Sequence, residues 1–67
     1  MNYEYYVNNK LVSYTLFKHY LAKSIRHKTN FTITNKELNN KLYGLINHLK
    51  ISRATLITKD KMTYHIV

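Results

Sequence analysis

Between residues 36 and 50 the chain reads KELNNKLYGLINHLK, with apolar residues at 38, 42, 45, 46 and 49. At about 100° of rotation per residue, Leu38, Leu42, Leu45, Ile46 and Leu49 fall on one narrow stripe. Lys36, Asn39, Asn40, Tyr43, Asn47 and Lys50 lie across from it. This spacing predicts an amphipathic helix over 34–49. Thr34 and Glu37 form a capping box at its start, the hydroxyl serving the N3 amide. The same period occurs earlier. Phe17, Tyr20, Leu21, Ser24 and Ile25 share a face, with Tyr14 beside them, and Lys18, His19, Ala22, Lys23 and Arg26 fill the opposite one. A second amphipathic helix is therefore expected over 14–27, capped by Ser13 or Thr15.

Both ends of the chain switch to period two. YEYYVNNKLVSY reads as a hairpin, because Asn8-Asn9 tolerates the left-handed conformations of a two-residue turn. That turn pairs Val7 with Lys10, Tyr6 with Leu11 and Tyr5 with Val12. RATLITKDKMTYHIV alternates on either side of KDK, and a three-residue loop there puts Ala54, Leu56, Met62, Tyr64 and Ile66 on one face. FTI (31–33) is a short β-prone piece between the helices. The expected fold is α+β: an N-terminal β-hairpin, two amphipathic helices with a short strand between them, and a C-terminal, wing-like β-hairpin. No linker or repeat divides the chain, so residues 1–67 form one domain.

Composition then narrows the function. The chain holds 67 residues, no cysteine and no proline, so neither a disulfide framework nor a thiolate metal site supports the core. A domain this small buries only about 60% of its unfolded surface, and a homodimer is expected to supplement it. No apolar run approaches the roughly 18 residues of a membrane span, and MNYEYY lacks the basic start and apolar middle of a secretory signal. A cytoplasmic domain without membrane contact is expected.

Charge is the strongest compositional signal. Eleven Lys and Arg against three Asp and Glu give +8. Such an imbalance carries self-repulsion that an anionic partner relieves. An AT-rich genome explains the preference for Lys over Arg but not the shortage of acids. That shortage also argues against an enzyme. Glu37 caps a helix, Asp60 lies in a turn and Glu4 at the start of a hairpin, so paired-carboxylate and metal-dependent chemistry lack their groups. His19, His27, His48 and His65 include no helical His-x-x-x-His pair, and the serines lack a nucleophile-elbow context. No glycine-rich loop is present to cradle a nucleotide. No catalytic residue, metal or cofactor is expected.

The polar face of 34–49 suits the reading of a nucleic acid, DNA in preference to RNA. Asn pairs in bidentate fashion with adenine in the major groove, and Lys contacts guanine or phosphate. Asn40, Tyr43 and Asn47 lie in one line, flanked by Lys36 and Lys50. Lys18, Lys23 and Arg26 add cations on the first helix. Arg53 stands at the base of the C-terminal hairpin, with Lys59 and Lys61 at its tip. Gly44 lies away from the apolar stripe, where it would permit close approach of a partner backbone.

With these features in place, FTITNKELNNKL and LINHLKISRATLITKDKMTYHIV resemble the strand, capped helix, recognition-helix end and two-stranded wing of winged-helix DNA-binding domains. The resemblance covers 31–67, about half the chain, and one family helix is missing between NKEL and HLK. It implies contacts to DNA by Asn40, Tyr43, Asn47, Lys59 and Lys61. The expected role is a DNA-binding regulator of a phage or mobile element. The rival is an interaction protein that docks on a host protein, such as a nucleic-acid-handling effector or defence nuclease, and inhibits it. Seven tyrosines, four of them at 3, 5, 6 and 14, suit such a surface if exposed.

Overall fold

A computed structural model describes residues 2–30 and 32–67. The order is β1 (Tyr5–Val7), β2 (Lys10–Val12), α1 (Tyr14–Lys28), α2 (Asn35–Ser52), β3 (Leu56–Ile57) and β4 (Thr63–Ile66). The N-terminal hairpin takes the expected register, Tyr5 opposite Val12, Tyr6 opposite Leu11 and Val7 opposite Lys10. Asn8 and Asn9 adopt φ of 51° and 65°, the left-handed pair of a type I′ turn. The C-terminal hairpin closes through Lys59–Lys61, with Leu56 opposite Tyr64 and Ile57 opposite Thr63. Lys61, at φ 64°, supplies the left-handed residue of that three-residue loop.

The two hairpins are not separate wings. They join into one antiparallel sheet of order β2-β1-β4-β3, with Tyr5 opposite Ile66, Tyr6 opposite His65 and Val7 opposite Tyr64. Asn8 extends this seam. Its N–H donates to Thr63 O at 2.9 Å, and its side-chain Oδ1 accepts from Thr63 N–H at 3.0 Å. β4 is therefore a central strand, hydrogen-bonded on both edges.

Local sequence explains the helix limits. Ser13, extended at φ −70° and ψ 160°, caps α1 by accepting from Leu16 N–H, and Thr34 accepts from Glu37 N–H while donating to the Glu37 carboxylate. α2 runs three residues beyond the expected end at 49, to Ser52, and stops where Arg53 turns left-handed at φ 56°. Ile51, 85% exposed, lies on this added turn, so the extension adds no apolar residue to the core and leaves no apolar signature. The longer helix also consumes residues that a strand would use. β3 begins only at Leu56, and Ala54 is exposed outside the sheet instead of joining Leu56, Met62, Tyr64 and Ile66 on its inner face.

The short strand expected at 31–33 falls partly on Phe31, which lies outside the described residues. Thr32 and Ile33 form no strand. Instead the Thr32 amide and hydroxyl both donate to Thr29 O, folding the connection onto the end of α1.

Both helices cover one side of the sheet. Phe17, Leu21 and Ile25 of α1, and Leu38, Leu42, Ile46 and Leu49 of α2, pack over Val7, Tyr64 and Ile66. Burying side chains of this size contributes about 1.5–3 kcal/mol each. Phe17 meets Tyr64 edge-on at 5.5 Å and Tyr5 at 5.3 Å, and Tyr5 meets Tyr14 at 5.2 Å. Tyr5 thus packs against the core, while Tyr14 covers it from outside and stays exposed. Tyr64 is wholly buried, and its hydroxyl donates to Tyr20 O at 2.8 Å and lies 2.6 Å from Ser24 Oγ. Among the described residues, no helix covers the opposite face of the sheet.

Candidate nucleic-acid interface

The connection 29–34 is short, so α2 returns alongside α1. On α1, Lys18, Ala22 and Arg26 follow one another at intervals of four, a half-buried line along one side of the helix. On α2, Lys36, Asn40, Tyr43 and Asn47 are exposed. The two lines meet where Lys18 Nζ donates to Tyr43 OH at 3.3 Å, with the ammonium 5.1 Å from the ring centre. Tyr43 remains 50% exposed.

The polar face of α1 is therefore less free than the helical wheel alone implies. Lys18 is half-buried where it meets Tyr43 of α2, and Ala22 and Arg26 are half-buried as well, whereas Lys23 and His19 face solvent. Lys50 is also half-buried, its ammonium 4.8 Å from the centre of the Tyr3 ring. The two rings fix where the ammonium groups stand. Gly44 is exposed, and a Cβ built there meets nothing within 4 Å.

Charge is distributed unevenly between the layers. α1 carries Lys18, Lys23, Arg26 and Lys28, and α2 carries Lys36, Lys41 and Lys50, together seven of the eleven Lys and Arg. The only acid in either helix is Glu37, engaged at the α2 cap. On the uncovered face of the sheet, strand alternation places Leu11, Tyr6, His65, Thr63 and Ile57, with Glu4 and Val67 continuing the ladder through paired bonds of 2.9 Å. Among the described residues, no lysine or arginine lies on that face.

The hairpin tip is placed apart from the α2 line. Asp60 Oδ2 accepts from Ser24 Oγ at 3.0 Å, and its other oxygen accepts from Thr58 Oγ1, so the loop is held against the second half of α1. Partial burial pushes the Asp60 carboxyl up. The hydrogen bonds from Thr58, Ser24 and its own backbone, with His27 nearby, outweigh that and hold it below its ordinary value. Burial raises the Tyr64 hydroxyl, and the Ser24 hydrogen bond only partly offsets it. Lys59 and Lys61 are exposed at this tip, and Arg53 is exposed at the opposite end of the β3 segment.

Lys59 does not project alone. With Lys28 and Lys41 it borders a cleft of about 380 Å³ between α1, α2 and β3. Neither Lys28 nor Lys41 stands out in the sequence. Lys41 is legible afterwards from its position beside Leu45 on the α2 wheel, but Lys28 meets the cleft only because α1 ends beside β3. Compared with protein-family models, curated proteins and solved structures, the chain matches none.

Proposed function

We propose that this protein binds a nucleic-acid duplex, DNA in preference to RNA, through the outer surface of the α1–α2 pair. The observation that carries the reading is the segregation of charge: a cationic helix layer on one side of the molecule, and a sheet face without lysine or arginine on the other. Lys18, Lys23, Arg26, Lys36 and Lys50 contact phosphates, while Asn40, Tyr43 and Asn47 offer donors and acceptors to base edges. Arg53, Lys59 and Lys61 reach phosphates at the flanks, in the manner of a winged helix with a fixed wing. The protein performs no catalysis and takes no cofactor. Size and composition favour a cytoplasmic regulator encoded by a phage or mobile element.

The uncovered sheet face supports the homodimer. Leu11 is 62% exposed and Ile57 71% exposed there. Among the surfaces of a +8 molecule, this one lets a second copy approach without opposing cations. Sheet-to-sheet packing would leave both helix layers outward. Leu11→Glu with Ile57→Glu would then give a monomer by sedimentation equilibrium; an unchanged association state would refute this interface.

The duplex reading is tested by fluorescence anisotropy with a labelled duplex, a single strand and an RNA hairpin. It predicts tightest binding to duplex DNA, and weakening by Lys18→Ala and Lys36→Ala. Equal binding of all three, or no binding, refutes it. In that event the exposed tyrosine and sheet surface favours the second reading, an inhibitor docked on a host protein.

A further inference from the structure

We infer that the cleft between α1, α2 and β3 is a binding site for a small amphiphilic anion, with an aliphatic body and a carboxylate head. Its walls are Leu21, Ile25, Leu45 and Leu56, and Lys28, Lys41 and Lys59 stand exposed around its opening. At about 380 Å³ it lies within the range of ligand pockets, roughly 300–1,000 Å³.

The lining selects the occupant. None of the described residues that line the cleft is aromatic, so no platform is offered for a nucleobase or other flat ring. The side-chain hydroxyls that reach it, Ser24 and Thr58, are committed to Asp60, Tyr64 and the Met62 carbonyl. They leave no polar group inside to read a heterocycle. Asp60, next to Lys59 in the hairpin tip, has both carboxylate oxygens engaged by those hydroxyls. Three cations over an apolar interior fit a ligand whose charge stays at the mouth and whose chain enters.

A peptide strand fits less well. Thr58 N–H bonds Met62 O toward β4, so ladder alternation directs the N–H and C=O of Ile57 to the free edge. β3 has only two residues, and one outward-facing residue gives too few main-chain bonds for strand addition. The same Ile57 N–H is available to a carboxylate oxygen at the opening.

The inference is independent of duplex binding, and its test contains no nucleic acid. The full-length protein is titrated with decanoate, below the concentration at which it self-associates, and followed by ¹H–¹⁵N NMR. Saturable shifts centred on Leu45, Leu56 and Ile57 are expected. Lys41→Ala combined with Lys59→Ala should weaken binding about five- to tenfold. Leu45→Trp, which fills the half-buried wall, should abolish it while thermal melting confirms that the variant is folded. Decyltrimethylammonium, the same chain with a cationic head, should give no saturable shift. An equal response to both head groups overturns the inference, as does an affinity unchanged by the two lysine substitutions. Shifts at the cleft that depend on protein concentration without ligand would assign it to a second copy and overturn it as well.

Discussion

Among the described residues, Ser24 is the one buried polar residue, and replacing it by alanine tests how the fold holds the hairpin tip. The substitution removes the hydrogen bond donated to Asp60 Oδ2 at 3.0 Å and the 2.6 Å contact with Tyr64 OH, in which Ser24 Oγ accepts when the tyrosine proton turns from Tyr20 O. It leaves no buried group wholly unpaired, because Tyr64 OH still donates to Tyr20 O and Asp60 keeps Thr58. Each lost bond is worth about 0.5–1.5 kcal/mol net, more where one partner is charged, so the expected cost is about 1–3 kcal/mol. For a domain of this size that lowers Tm by roughly 5–15 °C. Tyr64→Phe keeps the edge-on contact with Phe17 and loses only hydroxyl bonds, so it should cost about 1–2 kcal/mol. Circular dichroism melts of both variants measure these losses. The Asp60 carboxyl is held below its ordinary 3.8 in the folded protein. Its contribution is therefore complete above pH 3.8 and is lost as pH falls through the lower folded value. Because Ser24 helps to favour the charged form, the gap between parent and Ser24→Ala should narrow below that window. A Ser24→Ala protein within about 0.5 kcal/mol of the parent at pH 7 would refute the network as a tether.

Three further outcomes separate stability from binding. Gly44→Ala meets no atom within 4 Å and should stabilise the helix by about 1 kcal/mol, read as a higher melting temperature; a simultaneous loss of duplex affinity would mark Gly44 as a point of close backbone approach. Asn40→Ala and Asn47→Ala should reduce discrimination among duplex sequences by about 1–3 kcal/mol in competition assays. Lys59→Ala should weaken all duplexes alike and lower the salt slope by about 1.

The local elements were legible because their signals are local. Asn8-Asn9 specifies one turn and thereby the whole N-terminal register, Thr34 and Glu37 mark one helix start, and alternation around Lys59–Lys61 allows one inward face. The seam between β1 and β4 was not legible. It pairs Tyr5 with Ile66 across nearly the whole chain, and neither strand carries a pattern that names its second partner. The site divides in the same way. A helical wheel correctly exposes Lys36, Asn40, Tyr43 and Asn47, but it cannot show that Tyr43 of α2 meets Lys18, nor that α1, α2 and β3 bring Lys28, Lys41 and Lys59 around one cleft.

The central claim, that the helix layer is a surface for a phosphate polymer, is tested most directly by the salt dependence of binding to a short DNA duplex. If Lys18, Lys23, Arg26, Lys36 and Lys50, with Arg53, Lys59 and Lys61 at the flanks, each neutralise one phosphate, log K should fall against log salt with a slope of roughly 7, and a Lys18→Ala, Lys36→Ala protein should lose about two units of that slope. A slope below about 1, or one unchanged by those substitutions, would contradict the account.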